Sequence, residues 1–268
     1  MSNDTAHAAA PHQRPATRVP APISDPPCAS CPLRALPCFQ PVRAEELQTI
    51  DQLKQAELPF AAGSTLIAEG GDDSPLYTLL QGWAFRAKGL ADGRRQILGV
   101  LLPGDFIGLQ QRMTERSQHA VLALTDVRVC TFQRDAIRRI HERLPSLAMD
   151  LTWIAARGES LVDDHLLSVG RRTARERIAA TLLVLWLRTA RLGMHLPGGG
   201  LPLPLKQRHL ADLLGLSLVH TNRNLRSLVA AGLLRFAGDG LMHIEDPAAL
   251  AQAGQLRWPI AVPDVPLI

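Results

Sequence analysis

The chain has 268 residues, 46% of them hydrophobic and 20% charged, with 29 Lys and Arg against 25 Asp and Glu. That length supports two domains, each with an adequate core. No apolar run is long enough to span a bilayer, and the first residues lack the apolar centre of a secretory signal, which argues against membrane insertion and export and predicts a cytoplasmic protein. The charge is uneven: residues 1–165 hold 17 Lys and Arg against 19 Asp and Glu, whereas residues 166–250 hold 11 against 5. A cationic C-terminal half attracts polyanions such as nucleic acid.

Residues 1–27 are rich in Pro, Ala and small polar residues, with almost no large apolar side chains, and are expected to be disordered. Residues 28–42 carry three of the four cysteines, and residues 45–58 have the pattern of a short amphipathic helix. Farther on, apolar runs at 65–67, 76–80, 83–87, 97–102, 120–124 and 127–132 are separated by turns at Gly63, Gly70-Gly71, Gly82, Gly93 and Pro103-Gly104-Asp105. Short strands between regularly spaced Gly turns predict an antiparallel β-barrel or jelly roll. With a short basic helix over 133–143, residues 28–145 read as one domain with a cysteine-bearing arm.

A long helix is expected from about Ser146 to His165, in a segment spanning 146–170. Leu147, Leu151, Ile154, Gly158, Leu161 and His165 follow each other at spacings of 4, 3, 4, 3 and 4, the a/d pattern of a heptad seam. One such helix calls for a partner, which predicts a parallel homodimer. Gly158 weakens the seam by about 1 kcal/mol relative to Ala, and Asp163 and Asp164 add like charge near its end.

Residues 171–191 form a further expected helix, followed by a loop over 193–204. The segment 205–236, LKQRHLADLLGLSLVHTNRNLRSLVAAGLLRF, then reads as two helices joined by a tight turn. Leu210, Leu213 and Leu214 make one apolar face, Gly215 breaks the first helix and Ser217 caps the second. The second helix should bury Leu218, Leu225, Leu228 and Val229, point His220, Thr221, Asn222, Arg223 and Arg226 outward, and end at Gly232. A β-hairpin over 233–236 and 241–244, turning at Gly238-Asp239-Gly240, completes a winged helix-turn-helix across 171–247. Residues 248–268 are expected to be an irregular tail. The fold class is therefore α+β: barrel, long dimerisation helix, winged helix-turn-helix.

This order of elements resembles the Crp/Fnr superfamily, that of the cyclic-AMP receptor protein and the fumarate-nitrate reduction regulator. The motifs carrying it are Pro103-Gly104-Asp105-Phe106-Ile107-Gly108, Ala174-Arg175-Glu176-Arg177-Ile178-Ala179 and Leu214-Gly215-Leu216-Ser217. The resemblance covers about residues 28–247. It implies a homodimeric transcription regulator, activator or repressor, bound to palindromic double-stranded DNA and contacting RNA polymerase through barrel loops.

The resemblance also bears on the signal. In the cyclic-AMP branch a Glu follows the Phe-Ile-Gly turn and an Arg-Ser pair holds the cyclic phosphate. Here Leu109 stands at the Glu position, and Arg116-Ser117 falls about one residue early. The cysteines match the oxygen-sensing branch instead: Cys28, Cys31 and Cys38 form C-x2-C-x6-C before the barrel, and Cys130 lies in its last strand. The final gap is one residue longer than in that branch's best-known member. The resemblance implies a [4Fe–4S] cluster on these four residues, whose loss to oxygen or nitric oxide would loosen the dimer. Four thiolates also suit tetrahedral zinc, and the spacing alone does not separate a cluster from zinc, a thiol switch or no cofactor. A small effector, cyclic nucleotide or haem, is the other alternative.

On the recognition helix, the family's Glu-x-x-Ser-Arg maps onto Val219, Asn222 and Arg223. Arg223 is expected at a guanine or a phosphate, Asn222 at an adenine and Val219 at a thymine methyl. His220 and Arg226 are expected at phosphates, with Lys206 and Arg208 holding the backbone at the first helix and Ser217 at the turn. An enzyme is not expected. The nine histidines show no H-E-x-x-H or H-x-H pair, and Gly198-Gly199-Gly200 precedes no lysine-bearing helix. A thiol oxidoreductase is the remaining catalytic alternative.

Overall fold

The computed structural model describes residues 21–22, 26–72, 75–110, 116–133 and 135–268. Most of the expected disordered tail, residues 1–20 and 23–25, lies outside them.

Two short 3-10 turns, Cys28–Ser30 and Pro32–Ala35, carry the cysteine arm into helix α1, Ala44–Leu53. The expected helix over 45–58 is therefore too long at its C-terminus. Its last residues leave the helix to form strand β1, Lys54–Phe60, which pairs antiparallel with β8, Val127–Phe132. Backbone pairing with β8 and burial of Leu58 and Phe60 outweigh the local helical pattern.

Strands β2 (Thr65–Ile67), β3 (Leu76–Gln81), β4 (Ala84–Gly89), β5 (Arg95–Leu101), β6 (Phe106–Ile107) and β7 (Ala120–Ala123) complete two antiparallel four-stranded sheets. Their orders are β1-β8-β3-β6 and β2-β7-β4-β5. Leu58, Tyr77, Leu79, Val127 and Val129 from the first sheet pack between the sheets against Leu66, Ala84, Leu101 and Val121 from the second. This is the expected jelly roll, with β1 and β6 added.

Each outer sheet face is covered as well, so strands such as β3 are buried on both sides and show no polar alternation. On the first sheet, Leu76, Leu80, Cys130 and Phe132 share a cluster with the arm, α1, and helices α2 (Ala136–Arg143) and α3 (Pro145–Arg171). On the second, Phe85, Ala87, Ile97 and Val100 pack in one cluster with the C-terminal domain.

Helix α3 is longer than expected, and the first two positions of its expected seam are used within this chain. Leu147 and Leu151 are 0% and 2% exposed in this chain's own core, beside Ile137 and Ile140. Ile154, Gly158, Leu161 and His165 line a cleft between α3 and the barrel. The N-terminal part of the 4-3 stripe, Leu147 and Leu151, thus packs on the chain's own barrel side, which needs an apolar stripe as much as a second helix does. The large apolar side chains that α3 leaves exposed are Met149, Val162, Leu166 and Leu167.

Thr173 opens helix α4, Ala174–Arg191, with a reciprocal capping box: its hydroxyl accepts from the Glu176 N–H, and the Glu176 carboxylate accepts from the Thr173 N–H. Helices α5 (Gln207–Leu214) and α6 (Leu218–Ala230) follow. The wing is β10 (Leu234–Ala237) and β11 (Leu241–Ile244), with β9 (Leu201–Pro202) as an unanticipated third strand from the expected loop. The expected irregular tail begins instead with helix α7, Pro247–Ala253, capped by the Asp246 carboxylate and packed on α4. No helix of the described residues is long and apolar enough to cross a membrane.

Candidate nucleic-acid interface and cysteine arm

Gly215 ends α5 in the left-handed conformation, at φ 63°, a state a side chain disfavours. Two residues on, the Ser217 hydroxyl accepts from the His220 N–H at 3.2 Å and caps α6. The turn between helices is thereby set by two side-chain identities, as the sequence indicates.

Helix α6 buries Leu225 and Leu228. It presents Val219 (77% exposed), His220, Arg223 and Arg226 to solvent, with Asn222 half-buried among them. Among the described residues, neither arginine is held in an ion pair. The Asn222 amide donates to the Gln207 side-chain oxygen at 3.1 Å, so the first residue of α5 braces a candidate base reader. Lys206 and Arg208 are exposed at the same end of α5. Three expectations on α6 are corrected. Thr221 is fully buried, its hydroxyl donating to the Ser217 carbonyl at 3.0 Å. Leu218 and Val229 are 53% and 41% exposed, because the apolar stripe that α6 buries is narrower than the periodicity suggests.

Sequence reasoning missed how firmly this domain is docked on the barrel. Arg95 of β5 pairs with Asp212 of α5 at 2.8 Å and lies over the Phe85 ring, 5.3 Å from its centre. The Gln96 amide donates to the Leu213 carbonyl at 2.9 Å. Farther along, Arg188 of α4 meets Asp105, in the Pro-Gly-Asp turn, at 2.8 and 3.2 Å and donates to the Val100 carbonyl. The turn's Asp was legible as a motif, but its partner was not.

The cysteines occupy the outer face of the first sheet. Cys28, Cys38 and Cys130 are buried and Cys31 is half-buried; all four are free thiols. The Cys28 N–H donates to Asp51 at 2.7 Å. Burial, with Asp51 adding to it, pushes the Cys28 thiol up to about 11. Burial pushes Cys130 up to about 12, with Cys28 and Cys31 close enough to contribute. Cys38 is also raised by burial, but its charged neighbours are Arg191 and Asp264. All four cysteines border one apolar cluster, with Arg191 and Asp264 the charged neighbours of Cys38.

The donor chemistry of four thiols fits an iron–sulfur cluster or zinc, whereas the arrangement does not: no three Cys, His, Asp or Glu of the described residues converge as ligands. The Cys38 carbonyl accepts from the Val265 N–H at 3.0 Å. The adjoining Phe39 ring lies on Gly104, where a Cβ would come within 2.3 Å of it.

Between α3, α4 and the barrel lies a cleft of about 690 Å³. Arg86, His119, Arg157 and Arg188 line it, with Asp105 and Glu159. The Arg86 Nε is buried and has no hydrogen-bond partner among the described residues. Leu109, where the cyclic-AMP branch has Glu, also lines the cleft. The Ser117 hydroxyl is instead turned away, donating to the His119 carbonyl at 2.7 Å.

Comparison with known proteins matches both halves of the chain. Residues 57–143 match the cyclic nucleotide-binding domain family and residues 176–253 the Crp-like helix-turn-helix domain family. The chain is 31% identical to the transcriptional activator protein FnrL of Cereibacter sphaeroides, over 84% of this chain and 90% of that protein. It is 33% identical to the nitrogen fixation regulation protein FixK of Bradyrhizobium diazoefficiens, over 84% and 94%. Among solved structures, FixK2 from Bradyrhizobium japonicum superposes with a TM-score of 0.68 at 28% identity, covering 75% of this chain and 97% of that one.

Proposed function

The chain belongs to the Crp/Fnr family of transcription regulators, and on that footing we propose that it is a cytoplasmic, homodimeric activator controlled by redox state through its cysteine arm. The observation carrying the DNA-binding part is the face of α6: a capped helix after a tight turn, with His220, Asn222, Arg223 and Arg226 on its accessible side and a wing behind it. Such a helix enters a major groove, and two copies related by a dyad read a palindromic site. Arg223 and Asn222 read bases, Val219 touches a thymine methyl, and His220, Arg226, Lys206 and Arg208 hold phosphates. The dimer forms along α3 through the seam positions that this chain leaves partly uncovered, Ile154, Gly158 and Leu161, with the exposed Val162 and Leu166 beside them, and barrel loops contact RNA polymerase. Selection of bound sequences from a random DNA pool tests this; recovery of no dyad-symmetric site refutes it.

For the signal, the carrying observation is that all four cysteines of the chain lie in the arm and on the one strand beneath it. A [4Fe–4S] cluster on Cys28, Cys31, Cys38 and Cys130 is the proposed cofactor, and the four thiols have to draw together for it to form. Anaerobic purification with iron, sulfide and zinc analysis tests this. Iron and sulfide bleached by air support the cluster, stoichiometric zinc supports a zinc site, and neither refutes both.

The cleft favours a second reading, a small anionic effector. It holds the unpartnered Arg86 Nε, while the cyclic-nucleotide anchors are absent or turned away. Calorimetric titration with cyclic AMP and cyclic GMP should show no binding on this reading.

A further inference from the structure

We infer that residues 260–268 form an intramolecular strap that couples the cysteine arm to the DNA-binding domain. The segment leaves α7 of the C-terminal domain and returns to the barrel. At its start, Arg191, the last residue of α4, donates to the carbonyls of Val262 and Pro263 and pairs with the Asp264 carboxylate. In the middle, Val265 pairs in parallel with Phe39: its N–H donates to the Cys38 carbonyl and its carbonyl accepts from the Gln40 N–H, each at 3.0 Å. The Gln40 amide also donates to the Asp264 carbonyl at 3.3 Å.

At its end, Leu267 and Ile268 are 2% and 5% exposed, inserted in the same apolar cluster as Cys28, Cys38 and Cys130. Arg34 donates to the Leu267 carbonyl at 3.3 Å, and the Thr78 hydroxyl donates to that of Ile268. One stretch of chain therefore touches the arm, β3 and the end of α4. A second link runs in parallel, since Phe39 lies on Gly104 and the adjoining Asp105 holds Arg188 of α4.

The consequence is that the cysteine arm and the end of α4 are held by one short stretch of backbone. A shift of the Cys38 main chain strains its pairing with Val265 and, through the adjoining Asp264 and Val262, the contacts with Arg191. Because coupling between sites is reciprocal, loosening either end loosens the other. The coupling depends on these contacts and not on which metal, if any, the thiols take.

Hydrogen exchange with mass spectrometry on the full chain tests it, comparing wild type with Ile268→Asp and Arg191→Ala. Ile268→Asp places a charge in the apolar cluster; Arg191→Ala cuts the strap at the far end without touching that cluster. In both, exchange should rise about tenfold in 31–40, with β2 and β7 unchanged, as expected when a local opening becomes easier within an intact fold. Ile268→Asp should also raise exchange at residues 185–194. Increases confined to 260–268 would overturn the inference. Should Ile268→Asp fail to fold, unchanged exchange at 31–40 in Arg191→Ala overturns it alone.

Discussion

Asp105 holds the hinge between barrel and DNA-binding domain, and Asp105→Asn tests that with a defined sign. Its carboxylate takes the Arg188 guanidinium at 2.8 and 3.2 Å and the Leu102 N–H at 2.8 Å, with side-chain exposures of 26% for Asp105 and 13% for Arg188. Two further guanidiniums feel the same carboxylate. Burial lowers the Arg86 and Arg157 pKa values, Arg188 lowers them further, and Asp105 opposes that. Asparagine keeps the shape and an oxygen for Leu102, and removes only the charge. Three arginines then face one another around a neutral amide. Removing one partner of a buried pair costs roughly 3–5 kcal/mol, and the partial exposure of Asp105 puts this case near 3. Arg188→Ala loses the same pair but relieves repulsion, and should cost about 2 kcal/mol. At roughly 2–4 °C per kcal/mol for a chain of this size, melting should fall by about 6–12 °C and 4–8 °C. In the double variant, part of the Asp105→Asn loss should be recovered, because one of the three facing cations is gone. Thermal and urea melts of the four proteins give the cycle. Equal single losses that simply add would refute the picture of a carboxylate shared among three cations.

Other outcomes follow from the same geometry. Arg223→Ala should relax operator specificity at one position by about 1–3 kcal/mol, whereas Arg226→Ala should weaken specific and nonspecific DNA alike and shallow the salt dependence, both read by fluorescence anisotropy. Ser217→Ala removes the α6 cap and should destabilise the domain by about 1 kcal/mol in a urea melt. Timed alkylation with peptide mass spectrometry near neutral pH should label the half-buried Cys31 first and Cys130 last, since burial holds Cys130 near 12 as a protonated thiol. Glu46 is held down at about 2, chiefly by hydrogen bonds from Arg43, with the Ser146 hydroxyl of α3 adding to them. Its folded value lies below its ordinary one, so the stability it contributes is present above about pH 4.5 and is lost as pH falls toward 2. Glu46→Gln should flatten that decline in acid melts. His119 behaves in the same direction. Burial first, then Arg86, lowers it to about 4, so stability falls as pH drops from 6.5 toward 4, and His119→Gln should remove that slope.

Local chemistry decided much of this protein, and that part is legible in the sequence. Gly215 and Ser217 set the helix-turn-helix corner because one is needed for a left-handed residue and the other for a cap, and both needs are met within a few residues. The glycine turns divide the barrel strands correctly for the same reason. The exposed face of α6, from Val219 to Arg226, follows from helical periodicity with small corrections at Leu218, Thr221 and Val229.

What the tertiary structure decided lies where one pattern serves two partners or where the partner is far along the chain. A 4-3 apolar stripe on α3 fits a second helix and fits a barrel equally well. Only the burial of Leu147 and Leu151 in this chain's own core assigns those first two positions to it. The cysteine spacing describes a donor set, yet the cluster reading needs four thiols at one point. Among the described residues they do not converge as ligands, and the backbone at Cys38 and Phe39 is paired with Val265, over two hundred residues away. The segment after α7 looked like an irregular tail because its apolar residues, Val265, Leu267 and Ile268, are few and interrupted by proline. Their role arises from the apolar cluster that only the folded barrel, arm and α3 together create.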